Sequence, residues 1–242
     1  MPTPTNPPPS SSATPDHDAT GGDTATPPPD QPPTANTAAG TAVTTPQTAG
    51  TQARVDRVRL FGTRVWLAYR PDLREWQRRR EHGLAAVRRL DVLDVLMDLP
   101  AGLPVPWRSL TADERQLLAR LPPGVVDRTP DTVTRHWVPA LTPLLAIVPV
   151  ATWPRAAAQA SRFAVHCPRM VLFGRAPADG EVDLFEASLY GIGVAVGSLH
   201  SHTVLLAPEP DTDWQPTPAG WAFSETIYRQ VCEQHAQTGE ER

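Results

Sequence analysis

The folded part of the chain begins with two short runs in which apolar and polar residues alternate. Between residues 57 and 69 the apolar positions recur at every second residue on each side of Gly62, and this period places them on one face of an extended strand. The pattern predicts a β-hairpin or a bent strand that turns at Gly62. Pro71 then favours the first turn of a helix. One stripe of that helix carries Leu73, Trp76 and Arg80.

Apolar residues continue at helical spacing after Gly83, which we expect to interrupt this first helix. The second stretch runs to about Asp98. Its inward stripe is predicted to be Ala86, Leu90, Leu93 and Met97. The opposite, solvated face carries Asp91, Asp94 and Asp98. Thr111 and Glu114 have the spacing of a capping box and mark the start of a third helix.

A second β-hairpin is predicted directly after the third helix. Residues 125–137 contain two short strand-like runs separated by a turn at Thr129-Pro130-Asp131, a composition typical of hairpins. Helices followed by such a hairpin have the outline of a winged helix-turn-helix domain. We therefore interpret residues 54–138 as a helical, winged-helix-like module.

From Leu144 onwards the pattern changes to strands that alternate with helices, an order that predicts a small, mostly parallel sheet. The strands are predicted at 144–150, 169–174, 192–196 and 203–207. The helices are predicted to begin at Trp153, Glu181 and Pro218, with Val182, Phe185 and Leu189 on one face of the second. Residues 139–236 are therefore expected to form a small α/β module. The fold class is α/β, or α+β when both modules are considered.

Both ends of the chain lack the apolar residues that a packed core requires. Residues 1–53 are rich in Pro and Thr and contain no Leu, Ile, Phe, Tyr, Trp or Arg, so they cannot bury enough surface to offset the entropy of ordering. We predict that they form a disordered tail that acts as a spacer. The last residues, 237–242, are predicted to be disordered as well.

No membrane partner is expected from the sequence. The most apolar run, residues 138–153, is interrupted by three prolines and is shorter than the ~20 residues that cross a bilayer. Cys167 and Cys232 are far apart without a second pair, which favours a reducing compartment over a disulfide framework. Because the chain also begins without the features of a secretory signal, a cytoplasmic protein is predicted.

All 22 basic residues are arginine, and the chain contains no lysine. A Walker-type phosphate loop, a pyridoxal-phosphate enzyme and a protein kinase each depend on a lysine. These classes are excluded in their usual form, no cofactor is predicted, and a binding role is favoured over catalysis. The use of Arg in place of Lys is also typical of high-GC bacterial coding.

Arginines cluster on the early helices and recur on the predicted third helix and wing. Guanidinium groups bind phosphates bidentately, and winged helices contact DNA through these positions. The predicted phosphate-binding residues are Arg74, Arg78, Arg79, Arg80, Arg88, Arg89, Arg115, Arg120, Arg128 and Arg135. The sequence therefore favours a non-catalytic DNA-associated or regulatory protein that binds duplex DNA, with an α/β module that supports a homodimer or a protein partner. A solvated face that meets the acidic C-terminal segment is the alternative explanation.

Two histidines form the candidate metal site. His200 and His202 are two residues apart on an extended segment, so their side chains point the same way and could chelate one ion. A third ligand is required, and the candidates are His166, Cys167, Asp211 and Asp213. A metal-dependent enzyme centred on this pair is the first alternative function, and ordinary polar residues of a turn are the alternative without a site.

The second alternative function is a protein-interaction module with no nucleic-acid role. Exposed tryptophans such as Trp214 and Trp221 would anchor the partner, because tryptophan is enriched at binding hot spots. Binding to arbitrary duplex DNA at low salt separates this alternative from the DNA-associated role.

The segment 185–194, Phe-Glu-Ala-Ser-Leu-Tyr-Gly-Ile-Gly-Val, resembles the helix that runs into a core strand in restriction-endonuclease-like nucleases. The resemblance covers about a fifth of the chain and concerns the fold. Those nucleases use an Asp followed by an acid-x-Lys triplet, which a chain without lysine does not contain. The resemblance therefore implies a copy that has lost cleavage or uses a substitute base.

Overall fold

The hairpin predicted at the start of the folded part forms one edge of a six-stranded sheet. In the computed structural model, which describes residues 52–176, 178, 182–210 and 215–240, strands β1 (Arg54–Leu60) and β2 (Thr63–Pro71) pair antiparallel. Phe61 and Gly62 form the turn with φ values of 51° and 77°, the left-handed backbone that two-residue hairpin turns favour. The tail predicted at residues 1–53 lies, except for its last two residues, outside the described residues.

Helix α1 (Leu73–Glu81) follows the hairpin and begins at Asp72, whose carboxylate accepts a hydrogen bond from the Glu75 backbone N–H. Its buried side chains are Glu75, Trp76 and Arg79. Leu73 is 47% exposed and Arg80 is exposed, so the stripe that carries Leu73, Trp76 and Arg80 is not the buried face of α1. Hydrophobic periodicity failed here because the inner face of α1 carries charged side chains.

Helix α2 (Leu90–Asp98) begins later than the apolar spacing predicted, after a non-helical stretch that follows Gly83. It buries Val92, Leu93, Val95 and Leu96. Of the predicted inward stripe, Leu93 is buried, whereas Leu90 is 54% exposed. The acidic face that carries Asp91, Asp94 and Asp98 is exposed, as predicted.

A small antiparallel sheet follows α2. Strands β3 (Pro104–Pro106), β4 (Val126–Arg128) and β5 (Thr132–Arg135) lie in the order β3-β5-β4. A short 3₁₀ turn and helix α3 (Ala112–Ala119) separate β3 from β4. The capping box at Thr111 and Glu114 is present with both hydrogen bonds, which confirms the start of this helix. The sheet packs with α2 and α3 on a core of its own that includes Leu118, Val133 and Trp137.

The main sheet is completed by four strands from the second half of the chain. They are β6 (Leu141–Val150), β7 (Arg169–Phe173), β8 (Ile192–Ser198) and β9 (Ser201–Leu206). The order is β1-β2-β6-β7-β8-β9, in which β6, β7 and β8 are parallel and the remaining pairs are antiparallel. The predicted α/β class is confirmed. The boundary predicted between residues 138 and 139 is crossed by this sheet, because β2 pairs with β6.

Helices α4 (Trp153–Ala160) and α5 (Leu184–Leu189) connect the parallel strands, and their buried residues join the main core. On α5 the buried side chain is Ala187. Phe185 and Leu189, which the sequence analysis placed with Val182 on one face, are 79% and 72% exposed. The helix is only six residues long, and its smallest side chain packs in the main core. Glu181 lies outside the described residues.

Helix α6 (Pro218–Glu240) belongs to both cores. Trp221 packs with α2 and the small sheet. Phe223, Ile227 and Tyr228 pack with the main sheet. The helix runs six residues beyond its predicted end at Gln234, through part of the segment 237–242 that was predicted to be disordered. None of the described helices has the length and apolar composition needed to cross a bilayer.

Gly193 in β8 provides a direct test of how tightly the main sheet is packed. A Cβ atom at this position would lie 2.7 Å from the backbone nitrogen of Pro208, so we expect Gly193→Ala to lower the free energy of unfolding by about 1–3 kcal/mol through overpacking. Gly174→Ala is the matched control because no atom lies within 4 Å of its added Cβ. Urea denaturation measures both, and equal effects of the two substitutions would contradict this packing.

Candidate functional site

One member of the predicted arginine cluster, Arg79, is completely buried. Its side chain has 0% exposure and lies between α1 and α6. The Nε atom donates to Glu75 at 2.7 Å. Nη1 and Nη2 donate to the two carboxylate oxygens of Glu225, both at 2.7 Å. Nη2 also donates to the Val138 carbonyl at 2.7 Å.

Aromatic rings and a second set of donors complete the surroundings of this ion pair. The Arg79 guanidinium carbon lies 3.6 Å from the centre of the Trp137 ring and 4.7 Å from that of Tyr228, distances that favour cation–π attraction. Glu225 also accepts hydrogen bonds from the Val87 backbone and the Trp221 indole. Burial by itself lowers the pKa of Arg79, but the hydrogen bonds and charges of Glu225 and Glu75 outweigh it and raise the pKa. The guanidinium therefore stays charged.

The prediction that Arg79 binds nucleic-acid phosphates is wrong, because no part of its side chain reaches the surface. Its charge is neutralised inside the protein by two nearly fully buried carboxylates. Arg79 is therefore a structural residue that joins α1, α6 and the segment before β6. Sequence reasoning missed it because its partners, Glu75 and Glu225, are 150 residues apart from each other along the chain.

The other arginines of α1 point in different directions because successive helix residues are rotated by about 100°. Arg78 donates to Glu75 at 2.7 Å and to the Gly124 carbonyl at 2.5 Å. Arg80 lines a shallow depression with Arg54 and His235. Arg74 is exposed and forms no ion pair within the described part of the chain. Helix α1 therefore does not present its arginines as one continuous surface.

The two arginines before α2 are both exposed. Arg89 forms an ion pair with Asp91 at 2.5 Å. Arg88 has no ion-pair partner in the described ranges. Within the described ranges, therefore, Arg89 has a carboxylate that competes with an external anion and Arg88 has none.

Three predicted arginines surround α3 and the hairpin of β4 and β5. Arg115 lies on α3, where its Nε donates to the Thr111 carbonyl. Arg120 follows the last residue of α3 and is exposed. Arg128 at the end of β4 donates to the Ala119 carbonyl at 2.7 Å, and so caps the C-terminus of α3. Arg108, which the sequence analysis did not single out, is exposed on the turn before α3.

Arg135, in contrast, turns away from the exposed side of the hairpin. It is half-buried, and its guanidinium carbon lies 5.5 Å from the centre of the Trp221 ring. Its Nε is buried and has no hydrogen-bond partner, and burial lowers the pKa of Arg135. The sequence placed Arg135 with the wing arginines, but its position beneath α6 separates it from them.

A cleft of about 840 Å³ with mainly apolar walls lies between the end of α1 and the hairpin. Arg78, His82, Asp127 and His136 contribute the charged and titratable side chains of its wall. His136 Nε2 lies 2.8 Å from Asp127 Oδ2, an ion pair when the imidazole is protonated. No serine, threonine or cysteine occurs among its described lining residues.

The proposed pair of metal ligands lies at the turn between β8 and β9. His200 and His202 are exposed, and His202 Nδ1 lies 3.2 Å from the Ser198 carbonyl oxygen. Nowhere in the described ranges are three His, Cys, Asp or Glu side chains gathered so that they could hold a metal. Of the suggested third ligands, His166 stacks on Phe223 at 4.3 Å and Cys167 is buried, whereas Asp211 and Asp213 lie outside the described residues.

The tryptophans suggested as anchors for a protein partner are also not available as a pair. Trp221 is 5% exposed and belongs to the core of the small sheet, so the prediction that it is exposed is wrong. Trp214 lies outside the described residues.

Comparison of the chain with protein-family models, with curated proteins and with solved structures found no match. The segment that resembles a nuclease helix and strand corresponds to α5 and β8.

Replacement of Arg79 tests the structural role of the buried ion pair. Arg79→Met keeps much of the side-chain volume but leaves the buried Glu225 carboxylate without its cation, and leaves Glu75 with Arg78 alone, so we expect a loss of about 3–5 kcal/mol in the free energy of unfolding. Arg89→Met is the control, because the Arg89–Asp91 pair is exposed and its loss should not change the unfolding transition measurably. Similar urea midpoints for the two variants would contradict the role assigned to Arg79.

Proposed function

We propose that the protein is a non-catalytic nucleic-acid-binding protein that contacts phosphates through α3 and the hairpin of β4 and β5. The observation that carries the proposal is the position of Arg115, Arg120 and Arg128 around this one helix and hairpin. Arg108 extends the same group at the turn before α3. Guanidinium groups are well suited to such contacts because their planar donors match phosphate oxygens bidentately.

The order of elements around these arginines supports the proposal. Helix α2, strand β3, helix α3 and a hairpin follow one another, and the last strand lies in the middle of the small sheet. This order resembles the winged-helix outline that the sequence indicated, and in DNA-binding domains of that kind a helix enters the major groove. Gln116 is exposed on α3, and glutamine side chains can form paired hydrogen bonds with adenine.

The acidic residues of the same unit limit the strength of binding. Glu114 forms the capping box, and the hydrogen bonds from Thr111 lower the pKa of its carboxyl. Asp127 is adjacent to His136. With a net charge of −4 for the whole chain, we expect weak binding that depends strongly on salt, because the favourable term is counterion release at a few phosphates.

A purely structural role for the three arginines would have a different signature. Arg128 already caps α3 and Arg115 already bonds to Thr111. If these contacts were their only role, their removal would change stability without changing the affinity for DNA. Stability and affinity must therefore be measured on the same variants.

The test is fluorescence anisotropy with a labelled DNA duplex at two salt concentrations. For the triple variant Arg115→Gln, Arg120→Gln and Arg128→Gln we expect the affinity for the duplex to fall at least about tenfold. We also expect the slope of log binding constant against log salt concentration to become shallower by up to about 3, since each lost phosphate contact removes about 0.9 from that slope. Thermal unfolding of the same variant verifies that it remains folded.

Two control variants make this test specific. Arg64→Gln with Arg155→Gln removes two exposed charges outside the helix–hairpin unit and should leave affinity unchanged. Arg74→Gln with Arg80→Gln measures any contribution of α1. Absence of duplex binding by the unaltered protein, or unchanged affinity in the folded triple variant, would refute the proposal.

A further inference from the structure

A second cavity, of about 420 Å³, lies beside the first turn of α6. Residues from α2, β5, β6 and α6 line it, so its shape depends on the packing of the small sheet against the main sheet. Its apolar walls include Met97, Leu141 and Trp221, and its polar groups include Arg135, Thr142 and Thr217. The volume lies within the range of about 300–1,000 Å³ that is typical of small-molecule sites.

Arg135 is the cation of this cavity. Its Nε is buried without a hydrogen-bond partner, and it forms no ion pair with any carboxylate in the described part of the chain. Burial lowers the pKa of Arg135, because desolvation disfavours the charged form of the side chain. A partly buried guanidinium in this condition is costly unless an acceptor binds it.

Comparison with Arg79 shows that the arrangement at Arg135 is unusual for this protein. Both guanidinium groups lie near tryptophan rings. Arg79 is neutralised by two carboxylates and also bonds a carbonyl oxygen, whereas nothing in the described chain neutralises Arg135. The difference is explained if the acceptor for Arg135 is a ligand.

The start of α6 adds to the attraction for an anion. Thr217 precedes this helix, and its hydroxyl accepts a hydrogen bond from the Gly220 backbone N–H at 2.9 Å. The positive end of the helix dipole is therefore directed toward the cavity wall that Thr217 and Gly220 form. The hydroxyl of Thr142 is a further donor on the opposite, β6 side.

We propose that this cavity binds a small organic carboxylate, whose charged group bonds the Arg135 guanidinium while its apolar body packs against Trp221, Met97 and Leu141. One cation in mainly apolar surroundings fits a monoanion with an apolar body. A phosphate dianion would require more donors than this wall supplies. The inference goes beyond the proposed nucleic-acid binding and is independent of it, since Arg135 is not among the arginines on which that function depends.

Benzoate and hexanoate are the probes, and benzamide is the neutral control of nearly the same shape as benzoate. The readout is the ¹⁵N–¹H signal of the Trp221 indole, assigned by its loss in Trp221→Phe. We expect at least one carboxylate to shift this signal saturably, and benzamide to bind at least about tenfold more weakly, because hydrogen bonds to charged groups contribute about 1.5–3 kcal/mol.

Variants at Arg135 connect the binding to the guanidinium. Arg135→Gln should weaken carboxylate binding at least about tenfold, and Arg135→Lys should give an intermediate loss because it retains the charge without the bidentate geometry. Arg88→Gln, an exposed position outside the cavity, should bind as the unaltered protein does. Thr142→Val, which keeps the side-chain shape, should weaken binding and remains informative if the Arg135 variants do not fold.

Several outcomes would overturn the carboxylate site. These are equal affinity for benzoate and benzamide, undiminished binding by folded Arg135→Gln, no saturable shift with either carboxylate, or stronger competition by inorganic phosphate than by benzoate. DNA affinity measured on Arg135→Gln should be unchanged, so failure of this site and failure of the helix–hairpin interface give distinguishable results.

Discussion

The buried ion pair between Arg79 and Glu225 is the interaction on which the arrangement of the two cores depends. Removing a guanidinium and a carboxylate from water costs several kcal/mol for each ion, and this cost is offset only when each nitrogen and oxygen atom of the pair has a hydrogen-bond partner. Arg79 meets that condition through Glu75, Glu225 and the Val138 carbonyl. Because these groups come from α1, α6 and the segment that precedes β6, their pairing fixes how the small sheet and the main sheet meet.

The same need of a buried charge for hydrogen-bond partners separates the remaining arginines into groups. Arg78 is partly satisfied by Glu75 and a carbonyl, and Arg89 by Asp91. Around α3, Arg115 and Arg128 each donate one hydrogen bond to a backbone carbonyl at an end of the helix. Their remaining N–H groups can bind an external anion. Arg135 lies between these extremes, since it is partly buried and its Nε has no hydrogen-bond partner among the described residues. The number of arginines in a sequence is therefore a poor guide to the positive surface that remains after folding.

Local signals predicted local structure well, because hairpin turns and helix starts depend on neighbouring residues. Gly62 marked the first turn, and Thr111 with Glu114 marked the start of α3. The pairing of β2 with β6 was not predicted, because almost 70 residues separate the two strands. The inward positions of α1 were missed because two of them are charged. The orientation of Arg135 was missed because it depends on the tertiary position of Trp221.

A double-mutant cycle between Arg79→Met and Glu225→Gln, followed by urea denaturation, tests most directly whether this ion pair holds the two cores together. Arg79→Met leaves the buried Glu225 carboxylate without a cation, and Glu225→Gln leaves Arg79 with Glu75 as its remaining carboxylate. The double substitution removes both charges of the Arg79–Glu225 pair. The account predicts a coupling energy of about 2–3 kcal/mol, with the double variant less destabilised than the sum of the single effects. Additive effects within about 0.5 kcal/mol would contradict it.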